Sequence, residues 1–245
     1  MLLVAALAAM AMLPPLPEPQ VFRQLADDRT FLGIANLFNV ASNVPLLLIG
    51  TWGLHFVWRG EPRQRDAFAD PIERWPYLLC FLGIALTSLG SAYYHLAPDS
   101  ARLVWDRLPM AIGFMSLLSA TVVDRINARA GLRLLLPLLL IGVGSVVVWR
   151  WSQLGGAENI LPYAVVQYGS IAAILAIAMV FPSRYTHGAK IFGVAATYGA
   201  AKMAEILDAQ IYALGQFVSG HTLKHLIAAI AVYWLLGMLR LRSPK

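Results

Sequence analysis

Cysteine is almost absent from this sequence, with Cys80 as its only example. A disulfide scaffold and a cysteine-built zinc site are therefore both excluded. Charge is scarce as well. Asp, Glu, Lys and Arg make up 13% of the 245 residues, whereas globular domains average roughly 25%. So little charge cannot cover a water-facing surface. Disorder is excluded for the opposite reason, since a disordered chain needs low hydrophobicity and high net charge. What the chain has instead is apolar material, 59% by residue, with a mean hydropathy of +0.65. The net charge of +6 is spread between apolar runs and is not gathered into a nucleic-acid-binding patch. This is the composition of a polytopic membrane protein, in which such an excess marks cytoplasmic loops.

A spanning helix takes about 20 mostly apolar residues. Seven segments qualify: 36–58, 76–94, 108–123, 132–150, 160–181, 191–207 and 221–239. Residues 1–13 form an eighth apolar stretch, too short for a span. It reads either as an interfacial helix or as a signal-type segment with Ala9-Met10-Ala11 as a cleavage site. A Pro-rich linker completes residues 1–19, and 20–245 reads as one seven-span domain. The loops after spans 1, 3, 5 and 7 hold twelve Lys and Arg, against five in the opposite set. This asymmetry predicts an external N-terminus and a cytoplasmic C-terminus. It also places Asp124 on the cytoplasmic side.

Ionisable groups inside a bilayer are costly and call for a reason. His55 and His187 lie at cytoplasmic positions and read as interfacial or solvated. The other three histidines converge. His95 closes span 2, and His221 and His225 open span 7, all near the outer leaflet. His221 and His225 are four apart, so both rings share one helix face about 6 Å apart along the axis. Two histidines at that spacing grip one metal ion. A third protein ligand with an open fourth position is the pattern of a catalytic zinc site. Imidazole suits Zn²⁺ best, with Fe, Cu and Ni as other candidates.

Ser91 stands four residues before His95 on the same helix face, and Asp106 opens span 3 at the same level. Asp106 could take a proton from a metal-activated water, and Ser91 could stabilise the oxyanion of an attacked carbonyl. In the plainer alternative, Ser91 bonds its own helix and Asp106 pairs with Arg107 or Arg102. Span 6 carries Lys202, Glu205 and Asp208. Lys202 and Glu205, three apart, can neutralise each other. Alternatively, Glu205 and Asp208 orient metal-bound histidines. Lys224 falls between the two histidines on another face and is not counted as a ligand.

The run Ser91-Ala92-Tyr93-Tyr94-His95, then Trp105-Asp106-Arg107-Leu108-Pro109-Met110, then His221-Thr222-Leu223-Lys224-His225, resembles the alkaline ceramidase family. That family belongs to a superfamily of seven-span hydrolases that also contains the adiponectin receptors. Asn36-Leu37-Phe38-Asn39-Val40-Ala41-Ser42-Asn43 is similar to the family's first span. The resemblance implies a seven-helix bundle around zinc held by His95, His221 and His225, with Asp106 near the zinc-bound water. It also implies cleavage of the ceramide amide to a sphingoid base and a fatty acid. Animal members carry an acidic calcium site before span 1. Here the nearest acids are Asp27-Asp28, and Asn36 stands where the family has a glutamate, so calcium dependence and substrate choice stay open.

The expected function is thus a zinc-dependent hydrolase of ceramide-like membrane lipids, integral to the membrane, acting at the extracytoplasmic leaflet without nucleic acid. The alternative is a membrane receptor or sensor that keeps the metal without turnover. Signalling members should carry a sizeable cytoplasmic domain, and only a few residues follow the last span. A transporter would show an inverted repeat, and none is visible.

Overall fold

In the computed structural model, residues 14–19, 24–59 and 67–245 are described. Residues 1–13, the site of the anticipated leader or interfacial helix, lie outside them. The described residues form helices and no strand, apart from two isolated bridges at Phe31–Ile34 and Tyr185–Pro244. In chain order the helices are α1 (Leu37–Ala41), α2 (Val44–Arg59), α3 (Arg74–Leu96), α4 (Ser100–Arg125) and α5 (Ala128–Leu154). They continue with α6 (Leu161–Val180), α7 (Lys190–Ile206), α8 (Asp208–Ala213) and α9 (Gly220–Leu241).

Six helical stretches among the described residues are long and apolar enough to cross a membrane: α1 with α2, and then α3, α4, α5, α6 and α9. This is a multi-pass membrane architecture. The segment expected as span 6 forms α7, a helix of 17 residues that packs along α9 and falls outside the six. The expected third span proves longer than 108–123 because Asp99 starts α4 early. Its carboxylate accepts from the Ala101 and Arg102 amides at 2.8 Å, satisfying donors that every helix start leaves orphaned. Asp106 therefore lies well inside α4.

The helices meet through small residues. At Gly90 an added Cβ would fall 1.9 Å from the Trp105 carbonyl oxygen, so α3 and α4 touch backbone to backbone there. That contact sits beside Ser91 and Asp106 and fixes their relative height. Gly220, whose Cβ would fall 2.1 Å from the Ala204 oxygen, seats the start of α9 equally closely against α7. Membrane bundles commonly use small residues in this way.

The two ends of the bundle are chemically different. At the end where α3 finishes and α4 and α9 begin, His95, Asp106, His221 and His225 gather. At the other end, Arg242 is buried and donates to Asp124 Oδ2 at 2.5 Å and to the Tyr77 hydroxyl at 3.1 Å. Asp124 thus lies at the end opposite the histidines, as a buried partner of the tail. Arg242, one of the twelve Lys and Arg counted for orientation, is likewise packed inside. Arg184 pairs with Glu73 at 3.0 Å close by.

Candidate metal centre

Three imidazoles meet between the end of α3 and the start of α9. His95, His221 and His225 are 1%, 5% and 4% exposed, and one nitrogen from each lies within 4.8 Å of the others. No other group of three metal-capable side chains occurs among the described residues. His95 Nε2 and His221 Nε2 are 3.2 Å apart. A tetrahedral ion with bonds of about 2.0–2.1 Å holds its nitrogens about 3.3–3.4 Å apart, so this spacing needs little adjustment. His95 Nδ1 has no hydrogen-bond partner among the described residues. Its Nε2 faces the Nε2 of His221, and two buried imidazole nitrogens held this close are well satisfied by a shared cation.

The local sequence orients these rings. Ser42 donates its hydroxyl to the Asn39 carbonyl at 3.0 Å, and His225 Nδ1 lies 2.8 Å from the same oxygen. With its proton committed to Asn39, Ser42 Oγ is left to accept from Nδ1–H. In that tautomer a bare Nε2 is turned to the centre. Asn36 adopts φ 51°, a left-handed conformation that asparagine tolerates, and its Nδ2 donates to the His95 carbonyl at 2.8 Å. Asn39 Oδ1 accepts from the Thr222 hydroxyl at 2.9 Å, tying α1 to the first turn of α9. These residues were quoted in the sequence but given no role. The readable signal is polar spacing in an apolar span, since 36, 39 and 43 fall on one helix face. Ser42→Ala removes the acceptor for His225 Nδ1–H. Metal affinity is expected to fall about 10–100-fold, as read by competition with a chelator of known affinity.

Ser91 and Asp106 line the same cavity as the three histidines, a space of about 300 Å³. The Ser91 hydroxyl lies 3.5 Å from His225 Nε2 and neighbours the Asp106 carboxylate. The plainer partners for Asp106 are taken elsewhere. Arg102 pairs with Asp99 at 3.4 Å, and Arg107 pairs with Glu18 while stacking 4.1 Å from the Trp149 ring.

The three span 6 residues divide. Lys202 and Glu205 form the expected ion pair. Lys224 joins it with Nζ 2.7 Å from Glu205 Oε1, and the same nitrogen lies 3.0 Å from His221 Nε2. Lys224 therefore does not turn to another face. Three residues from His221, its long stem brings the ammonium back to the ring. Asp208 touches no imidazole. One oxygen accepts from the His221 backbone amide at 2.6 Å and the other from the Ala26 amide at 2.8 Å, so it caps the start of α9 and holds the N-terminal segment. Of the acids near the expected calcium position, Asp27 is gripped by Arg29 through both oxygens, at 2.7 and 2.8 Å. Those hydrogen bonds hold its carboxyl below the usual range.

A second cavity of about 160 Å³ is lined by apolar side chains including Cys80, Ile84, Phe114, Ile174 and Leu235. It shares Leu46, Thr87, Met110 and Tyr198 with the wall of the histidine cavity. No protein-family model matches the chain, and no curated protein matches it significantly.

Proposed function

We propose that this protein is a zinc-dependent hydrolase of amide-linked membrane lipids, similar to the alkaline ceramidases. The observation that carries the reading is the convergence of three buried histidines, Asp106 and Ser91 on one cavity whose wall continues into an apolar one. A metal ligand set supplies chemistry, and an adjoining apolar space suits an acyl chain. In this reading α7 also crosses the membrane, as the sixth of seven spans, the N-terminus is external and the centre faces the extracytoplasmic leaflet, following the Lys and Arg distribution.

An ion held by His95, His221 and His225 would supply a Lewis acid for the amide carbonyl and a water acidified toward neutrality. Asp106 accepts a proton from the attacking water at its carboxylate. It returns that proton to the nitrogen as the carbon–nitrogen bond breaks. The water oxygen ends on the acyl carbon, giving a fatty acid and a free amine. Ser91 donates to the carbonyl oxygen as negative charge gathers there. Ser42, Asn36 and Asn39 keep the histidines in place.

Two measurements test this reading. Detergent-purified protein incubated with a mixed pool of amide and ester lipids is expected to deplete amide lipids and release fatty acid. Depletion of esters alone, or of nothing, contradicts it. For orientation, Cys80 is buried, so a Gly215→Cys variant offers the accessible thiol. An impermeant maleimide added to intact cells is expected to label it, and labelling only after lysis would move the centre to the cytoplasmic leaflet.

A further inference from the structure

Besides Asp106, the cavity wall holds charges that the hydrolysis just described does not use. Glu18, Asp106 and Glu205 face Arg107, Lys202 and Lys224 around it. These side chains balance, so a divalent ion at the histidines leaves the cavity with two positive charges in excess. The lysines are where that excess can be used. Both hold Glu205 and line the cavity, and their side chains are 17% and 18% exposed. Lys224 has three N–H donors, and Glu205 takes one of them. Its nitrogen reaches His221 Nε2 at 3.0 Å, a nitrogen that would bind an ion held by the three histidines. An ammonium beside a divalent ion is repelled unless an anion lies between them. Once His221 Nε2 is bound to metal, the Lys224 donors turn to whatever sits beside that metal.

We propose that Lys224, steadied by Glu205 and Lys202, forms a carboxylate-binding subsite next to the metal. The substrate it fits is an N-acyl amino acid, a lipid amide with a carboxylate one carbon from the scissile nitrogen. This rests on the amidohydrolase reading. The same carboxylate chemistry is also supplied by the freed fatty acid, so the experiment separates the two sources.

In the first arm, dodecanoate and dodecanol are titrated into purified full-length protein, as isolated and after metal chelation, with thermal stability as the readout. Dodecanoate is expected to bind about ten-fold more tightly than the alcohol through a charge-assisted contact. With metal in place the preference should persist in Lys224→Arg and vanish in Lys224→Gln, and chelation should weaken it by returning Lys224 to His221 Nε2. Glu205 keeps its Lys202 partner in both variants. Equal binding of acid and alcohol, or a preference unchanged in Lys224→Gln, overturns the subsite. In the second arm, N-dodecanoylglycine and N-dodecanoylethanolamine are compared as substrates. A preference of about ten-fold in kcat/KM for the glycine amide, lost in Lys224→Gln, assigns the subsite to the substrate headgroup. Equal cleavage with Lys224-dependent dodecanoate binding assigns it to the product and overturns the substrate proposal. If neither amide is cleaved, the hydrolase reading and the substrate proposal fall together, and the first arm still decides the subsite.

Discussion

Asp106→Asn is expected to slow single-turnover amide cleavage by about 10²–10⁴-fold, the usual contribution of general-base catalysis, while the metal content stays close to wild type. The substitution keeps the size of the side chain and its place on α4 but removes its ability to accept a proton from water. Asp106 is not among the three converging metal-capable residues, so the ion should stay. Ser91→Ala should lose less, at most about 2.7–4 kcal/mol of barrier, the worth of one oxyanion donor. The control must be a carboxylate that does no structural work. Asp124 is unsuitable because it is buried against Arg242 and Tyr77, and Asp124→Asn would weaken the tail clamp. Exposed Asp28 is the better choice, and Asp28→Asn should cleave at the wild-type rate. Cleavage by Asp106→Asn at the wild-type rate with metal retained would remove Asp106 from the chemistry.

His225→Ala is expected to lose nearly all bound metal, and activity with it. Two imidazoles remain, and catalytic zinc is held by three protein ligands. The loss should exceed the roughly 10–100-fold cost of a missing outer hydrogen bond, so His225→Ala should bind more weakly than Ser42→Ala. That ranking separates a residue that binds the ion from one that positions its ligand. Circular dichroism should remain helical, because α9 keeps its Ser219 cap, whose hydroxyl accepts from the Thr222 amide at 3.1 Å. Equal metal content in wild type and His225→Ala would exclude the three-histidine site.

The sequence made the helices legible because spanning segments must be long and apolar, and that constraint is written residue by residue. It also made the histidine group legible, since i and i+4 spacing decides which rings share a face. Boundaries were less legible. The start of α4 depends on Asp99, whose capping bonds override the hydropathy drop around Arg102 and Arg107. Lys224 was misplaced because spacing describes where a side chain leaves the helix and not where a flexible four-carbon stem delivers its nitrogen. Asp208 and Asp124 were located at the correct ends, but their partners come from Ala26 and Arg242, 182 and 118 residues away in the chain. Contacts at that separation leave no periodic trace. The support given by Asn36, Asn39 and Ser42 was visible as polar residues in an apolar span, yet only the folded contact to His95, Thr222 and His225 reveals its purpose.

The central claim is that His95, His221 and His225 together bind one catalytic zinc ion. The most direct test combines elemental analysis with X-ray absorption at the zinc edge on wild-type protein purified without chelator. The account predicts about one zinc per chain with three nitrogen neighbours at about 2.0–2.1 Å and no sulfur in the shell. Protein that folds and carries no metal, or zinc bound with a sulfur neighbour at about 2.3 Å, would contradict it.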